Sequence, residues 1–202
     1  MSPPGRRYGS PVQVEALGVA GAWLFTPTQH PDDRGTFLEW LRADALVPSV
    51  GHRLEVAQAN VSVSHRGVLR GVHACEVPPG QAKYVTCVAG AVLDMVVDLR
   101  VGSPTFLVSV AVRLDAEERR ALYLAEGLGH AFLALTDGAT LVYLQSHPHS
   151  PAHEFAVHPL DPDLDLPWPT GLTPRLSPRD AAAPRLADIT GRLPRFEDCG
   201  PV

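Results

Sequence analysis

The strongest constraint on the fold is a row of polar residues that alternates with apolar ones in segment 58–64. Polar side chains occupy Gln58, Asn60, Ser62 and Ser64, and each intervening residue is Ala or Val. A period of two places every second side chain on the same face of a β-strand. The segment is therefore predicted to be a strand with one polar face.

The next predicted strand carries two charged or titratable residues on either side of a glycine. Arg70 and His73 are an odd number of positions apart, so a regular strand would point them to opposite faces. Gly71 lies between them, and a glycine inside a strand often marks a β-bulge, which re-aims a side chain. The sequence therefore predicts a bulge at Gly71.

A single lysine follows, after a Pro-Pro-Gly turn. Lys83 is the only lysine among 17 Lys and Arg residues, and it lies two positions after Gln81 in an alternating strand. One interpretation is a charge on an edge strand, which would prevent aggregation. The other is a compact ammonium group that points into a pocket, where its pKa can be shifted.

Similar short segments run along most of the chain, separated by turns. The 202 residues include 17 Gly and 20 Pro, which are spread along the sequence. Short strands at near-regular spacing are typical of an all-β sandwich or barrel, and this length indicates a single domain, 1–202. The predicted strands are 12–19, 22–26, 36–41, 55–64, 68–73, 81–88, 91–99, 105–114, 122–124, 131–136 and 140–146, with a helical turn at 42–48 and turns at 30–35 and 115–120.

The two ends of the chain differ from its middle. Residues 1–11 are rich in Gly, Pro, Ser and Arg and are predicted to be loose. Residues 160–202 are dense in Pro and Asp and are predicted to form a C-terminal extension that packs on the barrel. Within it, Ser177 and Pro178 indicate a helix start, and Asp180 follows at the third helical position, where a carboxylate suits the positive helix end.

Charge and cysteine usage limit the possible partners. The net charge of −5 argues against a nucleic-acid partner. Cys75, Cys87 and Cys199 form an odd set without paired spacing, which disfavours a disulfide framework and favours the cytoplasm. The sequence has no apolar run of about 18 residues and no signal-peptide pattern, so we expect no membrane association.

Most catalytic chemistries lack a motif in this chain. The nine histidines include one His-x-His pair, His147 and His149, but it lies in a Pro-rich, loop-like stretch, and there is no Cys-x-x-Cys pair, so a zinc or iron site is poorly supported. Segment 125–130 resembles the second motif of cupin barrels, with Ala125 in place of its proline. There is no nucleophile elbow, phosphate loop or dinucleotide fingerprint. Acid–base chemistry remains, and its candidate residues are His73, Lys83, Asp94, His130, Tyr143 and Asp180.

Short motifs follow one another in order from residue 20 to residue 198. They include Asp33-Arg34-Gly35-x-Phe37-x-Glu39, Gln58-x-Asn60-x-Ser62-x-Ser64, Gly67-Val68-Leu69-Arg70-Gly71-Val72-His73, Pro79-Gly80-Gln81-Ala82-Lys83, Glu126-Gly127-x-x-His130-x-Phe132, Tyr143, Glu154 and Ser177-x-x-Asp180. In this order they resemble the dTDP-4-dehydrorhamnose 3,5-epimerase family. The resemblance implies an all-β, cupin-type double-stranded β-helix (a jelly-roll barrel) with short helices mainly in the C-terminal tail. It also implies a homodimer and no metal or organic cofactor.

The resemblance also implies a role for each matching residue. His73 would be the general base, oriented by Asp180, and Tyr143 the general acid on the opposite face of the sugar. Lys83 would be the cation beside the C4 carbonyl oxygen, with His130 close by and oriented by Asp94. The implied substrate contacts are Arg34, Arg70 and Arg179 for the diphosphate, and Glu39, Gln58, Asn60 and Glu154 for the nucleotide and sugar, with His149 where many members carry a tyrosine.

The implied reaction is the epimerisation of a dTDP-4-keto-6-deoxyhexose at C3, at C5 or at both, through an enolate. A C–H bond beside a ketone becomes acidic only when the enolate is stabilised, and a preorganised cation at the oxygen supplies that stabilisation. An imidazole titrates close to neutral pH, so it can take up the proton and later release it. A carboxylate on its other nitrogen would fix the tautomer.

Several positions depart from the family pattern, and three other functions remain open. Ala74 and Cys75 follow the base, Ala131 follows His130, and His149 replaces a common tyrosine. We expect these changes to alter the pocket wall and to favour one carbon over the other. A mono-functional 3- or 5-epimerase is one alternative. A non-catalytic sugar-nucleotide binder and a metal-dependent cupin enzyme are alternatives from other classes.

Overall fold

The computed structural model describes residues 12–200, so the expectation for residues 1–11 lies outside the described part of the chain. Two antiparallel sheets form the body of the protein. The six-stranded sheet has the order β1-β2-β10-β7-β12-β5, and the five-stranded sheet has the order β13-β6-β11-β8-β9. The strands of the first sheet are β1 Gln13–Ala16, β2 Ala22–Thr26, β5 Gln58–Ser64, β7 Lys83–Ala89, β10 Ala121–Leu124 and β12 Ala139–Gln145. Those of the second are β6 Leu69–Cys75, β8 Ala91–Asp98, β9 Ser109–Asp115, β11 Leu128–Ala134 and β13 Glu154–Ala156.

Strand alternation divides the core between the inside of this sandwich and the outer face of the five-stranded sheet. On β8, Val92 and Val96 belong to the larger cluster of buried residues, which fills the inside. Met95 and Val97, one position out of phase, belong to a second cluster on the other face. Every second residue of one strand therefore enters a different core, as the period of two requires. This architecture confirms the all-β, jelly-roll prediction.

Helices are few and short. Helix α1, Ala43–Val50, ends at Gly51, whose φ of 88° is the left-handed conformation that glycine tolerates best. Helix α2, Pro178–Ala181, begins at the Ser177 cap with Pro178 at its first position, as predicted. Three 3-10 helices follow, Leu186–Asp188, Thr190–Arg192 and Phe196–Asp198. None of the helices between residues 12 and 200 is long and apolar enough to cross a membrane.

The segment from residue 160 onward packs on the outer face of the five-stranded sheet. Leu164, Leu186 and Ile189 are buried in the second cluster against β6 and β8. Two isolated parallel bridges, Val68 with Arg175 and Val101 with Arg195, add backbone pairing. These contacts position α2, and with it Asp180, beside strand β6.

Three of the differences from the sequence predictions have a clear physical reason. Only residues 33–34 of the predicted 30–35 turn are a turn, because β3 Gln29–Asp32 and β4 Gly35–Leu38 pair as a hairpin. The predicted strand 105–114 begins at Ser109, because Asp98 accepts hydrogen bonds from Ser103 and Thr105 and holds the preceding residues in turns. The edge-strand interpretation of Lys83 is wrong, since β7 pairs with β10 on one side and β12 on the other.

Candidate active site

A cavity of about 610 Å³ opens between the two sheets. Both sheets line it, and the polar face of β5 forms part of one wall, as the alternation of segment 58–64 predicts. The charged and polar residues that line it are Gln58, Asn60, Ser62, Arg70, His73, Gln81, Lys83, His130, Tyr143, Gln145, His149, Glu154 and Arg179. The structure therefore brings most of the sequence candidates together around one space.

A bulge at Gly71 allows neighbouring strands β6 and β11 to place both Arg70 and His73 on the cavity wall. The register between the strands shifts, so that His73 pairs with His130 whereas Arg70 pairs with Phe132. Gly71 has a φ of 115°, and a Cβ there would lie 2.5 Å from the Cβ of Ala131. Glycine is therefore required both by conformation and by space. The predicted bulge is confirmed.

His73 and Asp180 form a hydrogen-bonded pair at the cavity wall. The Nε2 atom of His73 lies 2.7 Å from Oδ1 of Asp180, and the histidine side chain is 38% exposed. Ser177 donates to Oδ2 of Asp180 and accepts from its backbone N–H. Burial raises the pKa of Asp180, but the hydrogen bonds from His73 and Ser177 outweigh it and leave that pKa below its usual value. Asp180 thus supports the Ser177 cap of α2 and orients the imidazole.

His130 and Asp94 form a second, deeper pair. The Nε2 atom of His130 lies 2.8 and 2.9 Å from the two carboxylate oxygens of Asp94, and both side chains are buried. Burial raises the pKa of Asp94, and the neighbouring His130 and Lys83 only partly oppose that shift.

Lys83 and Tyr143 line the cavity from the six-stranded sheet, opposite the two histidines. Burial lowers the pKa of Lys83, while the carboxylates of Glu154 and Asp94 favour its charged form. The hydroxyl of Tyr143 lies 3.2 Å from Oγ of Ser62, and its ring centroid is 6.1 Å from that of His130. Burial raises the pKa of Tyr143, so the phenol keeps its proton at neutral pH.

The predicted substrate contacts fall into two groups. Six of them line the cavity, namely Gln58, Asn60, Arg70, His149, Glu154 and Arg179. His149 Nδ1 lies 2.6 Å from Oε1 of Glu154, and this pair connects the loop after β12 with β13.

Arg34 and Glu39 are not brought to the cavity of their own chain. Arg34 lies at the tip of the β3–β4 hairpin, pairs with Asp32 and is 86% exposed. Glu39 follows the same hairpin and forms an ion pair with Arg42. Arg34 and Glu39 belong to one sequence motif, and this motif lies on and just after the hairpin, outside the cavity.

The sequence analysis assigned no role to Gln81, Phe132 and Gln145, which also line the cavity. The signal for Gln145 was present, because it lies two positions after Tyr143 on β12 and therefore on the same face. Gln81 likewise precedes Lys83 by two. Phe132 lies two positions after His130 on β11, so the same period predicts its face.

The departures from the family pattern are not equally close to the cavity. Ala74 and His149 line it. Ala131 is buried in the second core cluster, against Gly71, so the expectation that it alters the pocket wall is wrong. The three cysteines are free thiols and buried. Among residues 12–200 no group of three or more His, Cys, Asp or Glu side chains could hold a metal ion.

A two-sheet β-barrel with two histidine–carboxylate pairs, a buried lysine and a phenol around one cavity defines an acid–base enzyme of the cupin fold class. The family model for dTDP-4-dehydrorhamnose 3,5-epimerase matches residues 16–188. The chain belongs to this family, and it is accordingly an epimerase, an enzyme of the isomerase class.

Individual relatives are similar over nearly their whole length. A dTDP-4-dehydrorhamnose 3-epimerase of Streptomyces niveus is 54% identical over 193 residues, which cover 95% of this chain and 93% of the relative. The crystal structure of a 4-keto-6-deoxy sugar epimerase from the novobiocin gene cluster of Streptomyces spheroides has a TM-score of 0.91 at 55% identity, covering 95% and 96% of the two chains. A 3'-monoepimerase of Streptomyces bikiniensis, in complex with dTDP-quinovose, has a TM-score of 0.86 at 53% identity, covering 90% and 93%.

Proposed function

We propose that the chain epimerises a dTDP-4-keto-6-deoxyhexose without a cofactor, by removing a proton beside the ketone and returning one to the other face. The observation that carries the proposal is that His73 and Tyr143 stand on different sheets, across one cavity, with Lys83 beside it. Inversion at carbon requires a base and an acid on opposite faces of the sugar, and facing sheets supply that arrangement.

In the first step His73 takes the proton from the carbon next to C4. The electron pair of the broken C–H bond forms the C=C bond, and the carbonyl electrons move to the C4 oxygen, which becomes an enolate. The ammonium of Lys83 stabilises this oxyanion, and the low polarity that lowers its pKa also strengthens the interaction. Asp180 holds the imidazole in orientation and stabilises its charged form.

In the second step Tyr143 gives its proton to the opposite face of the same carbon, and the enolate returns to the ketone. The raised pKa keeps the phenol protonated until the carbanionic centre develops. Afterwards the imidazolium loses its proton to water and the phenolate regains one, so the enzyme returns to its starting state.

Arg70 and Arg179, both exposed at the cavity, are proposed to bind the diphosphate. Arginine presents a planar donor fork that matches two phosphate oxygens, so Arg70→Lys would not be conservative. Glu154, with Lys83 and His149 near it, is proposed to contact the sugar or nucleotide.

We propose a homodimer in which the hairpin residues Arg34 and Glu39 serve the cavity of a second copy. Both lie outside their own chain's cavity, and the outer face of β5 and β7 beside it is apolar and open. Val61, Val63 and Val88 are 66%, 64% and 52% exposed. Exposed apolar surface of this kind is expected at interaction sites. Mixing Arg34→Ala chains with His73→Ala chains tests the arrangement, because a shared site restores activity in the mixed dimer and an unshared one does not.

We also propose that one carbon, C3, is favoured over C5. Two relatives at 53–54% identity are named as a 3-epimerase and a 3'-monoepimerase. His149 here lies at the cavity wall, where many family members carry a tyrosine. Inverting both carbons requires the sugar to present each in turn to His73, and a wall that holds one ring pose disfavours the second. A difference of about 2–3 kcal/mol gives a preference of about thirty- to over a hundredfold.

One experiment tests both the reaction and its position. The chain is incubated with dTDP-4-keto-6-deoxyglucose in deuterated water, and deuterium at C3 and C5 is followed by NMR over time. In the wild type we expect early labelling at C3. In His149→Tyr we expect early labelling at both C3 and C5. No labelling at either carbon would overturn the epimerase reaction and favour a sugar-nucleotide binder, whereas equal early labelling would overturn only the preference for C3.

We further propose that residues 1–202 form one domain, and that the enzyme works in the cytoplasm, where its free cysteines remain reduced.

A further inference from the structure

A connected row of side-chain amides runs along one wall of the cavity. Gln145 is its centre, because its Oε1 accepts from Asn60 Nδ2 at 2.8 Å and from Gln58 Nε2 at 3.1 Å, while its Nε2 donates to Gln81 Oε1 at 3.0 Å. Gln58 Nε2 also donates to Asn60 Oδ1 at 2.9 Å. Gln81 and Gln145 are buried, whereas Asn60 is exposed to the cavity.

Two backbone groups anchor this row and determine the orientation of every amide in it. At one end Gln81 Nε2 donates to the carbonyl of His147, which can only accept. At the other end the backbone N–H of His149, which can only donate, points to Gln58 Oε1 at 2.8 Å. An amide orientation is decided by its network, and here both anchors require the same assignment throughout.

With this orientation, the amides of the row differ in how many hydrogen-bond donors remain for a ligand. Gln58 donates both of its N–H groups to protein partners and accepts from the backbone of His149, so it has no donor left for a ligand. Asn60 has committed its oxygen and one N–H, so one N–H remains among the hydrogen bonds of the described residues. Because Asn60 is the exposed member, this N–H is the donor that a ligand in the cavity meets.

We propose that Gln145 is a positioning residue for substrate binding, which acts by aiming the remaining N–H of Asn60 at an acceptor oxygen of the substrate. Gln58 then belongs to the frame and makes no contact with the substrate. This inference rests on the proposed function and adds to it a residue and a division of roles. A preorganised donor binds more tightly because its orientation is already set before the ligand arrives.

The test compares KM and kcat of Gln145→Met, which retains side-chain volume and removes the amide. We expect KM for the dTDP-4-keto-6-deoxyhexose to rise about three- to tenfold, as for one weakened hydrogen bond, with kcat within about twofold because uniform binding is lost. In the Asn60→Ala background the same substitution should add nothing. An equal rise in both backgrounds, or a fall in kcat at constant KM, overturns the proposal.

A second variant and a control complete the design. Gln58→Met should raise KM as Gln145→Met does, so the proposal remains testable if Gln145→Met does not fold. If Gln58→Met still raises KM in the Asn60→Ala background, Gln58 contacts the substrate directly and the proposal is overturned. Thr136→Val removes the bond from the backbone N–H of Ala91, outside the cavity lining, and should leave KM unchanged.

A measurement without turnover separates this proposal from the proposed function. In wild type the side-chain N–H groups of Gln58 should exchange slowly with solvent, and Gln145→Met should speed that exchange by at least about tenfold, because a hydrogen-bonded N–H must open before it exchanges. Unchanged exchange overturns the amide frame even where the epimerase reaction is present. Faster exchange supports the frame even where wild type shows no turnover, a result that would count against the epimerase reaction alone.

Discussion

The two histidine–carboxylate pairs are similar in composition and different in environment. His73 and His130 face each other in register on β6 and β11. In the first pair the imidazole is 38% exposed and the carboxylate of Asp180 has a second donor in Ser177. In the second pair the imidazole is 6% exposed and Asp94 is fully buried, with the imidazole as its only side-chain hydrogen-bond donor among the described residues.

The difference shows how burial assigns distinct roles to the same residue types. The pKa of Asp180 lies below its usual value, so its carboxylate stays charged and can stabilise an imidazolium. Burial raises the pKa of Asp94, whose charge in turn favours the ammonium form of Lys83. The His130 imidazole lines the cavity, but only 6% of its side chain is exposed. We infer that the exposed pair exchanges protons with the substrate, and that the buried pair supports the electrostatics around the lysine.

The largest effect should separate the two histidines. His73→Asn removes the base, and we expect deuterium incorporation at the substrate carbon to fall by about 10²- to 10⁴-fold. His130→Asn should reduce it less and should lower the melting temperature more, because it leaves the buried Asp94 without its partner. Solvent deuterium labelling and thermal unfolding of both variants provide the measurement. A larger loss of exchange in His130→Asn would reverse the assignment.

The next largest effect concerns the charge of Lys83 at the cavity. Lys83→Met retains much of the stem's packing and removes the ammonium, so kcat should fall on the order of a hundredfold, as for a lost oxyanion donor. The Lys83 charge also opposes the rise in the pKa of Asp94, so that pKa should rise further in the variant. Steady-state kinetics with a folded variant decides the point; a normal kcat accompanied by a changed melting temperature would indicate a purely structural lysine.

A smaller effect should distinguish the two carboxylates. Asp180→Asn keeps the helix cap but cannot stabilise the imidazolium, and we expect kcat to fall about tenfold or more, in the range seen for orienting partners of functional groups. Asp94→Asn is the matched variant on the buried pair, and it should change stability more than it changes proton exchange. Equal kinetic losses in the two variants would show that burial does not separate their roles.

The smallest effect is a difference in the pH dependence of stability. Because the folded-state pKa of Asp180 is lowered, its charged hydrogen bonds stabilise the protein above the unfolded pKa of about 3.9 and that contribution is lost as the pH falls through the folded value. At neutral pH the contribution is about 1.5–3 kcal/mol for a hydrogen bond to a charged group. Chemical denaturation of wild type and Asp180→Asn between pH 7 and pH 3 should therefore converge on acidification.

Asp94 has the opposite sign, since a raised folded pKa means that protonation favours the folded state. On acidification, wild type should therefore gain stability relative to Asp94→Asn. Curves that diverge for Asp180→Asn, or converge alike for both variants, would contradict the contrast between the two environments.

Local sequence rules predicted the strands and the chemistry carried on them. The alternation in β5, the bulge at Gly71 and the Ser177 cap of α2 all follow from short-range geometry, because strand period, glycine conformation and helix capping depend on neighbouring residues. The same period would have identified Gln145. It could not place the hairpin of Arg34 outside the cavity, since that depends on how β3 and β4 leave the barrel.

The sequence by itself determined the all-β class, the residue types of an acid–base site and membership of an epimerase family. Only the tertiary structure decided which residues meet, because Asp180 is 107 positions from His73 along the chain and Asp94 is 36 positions from His130. It also decided that Lys83 is on an internal strand and that the two histidine pairs differ in burial. Pairing between residues far apart in the chain and removal of water are non-local, and they determine the charge states on which the chemistry depends.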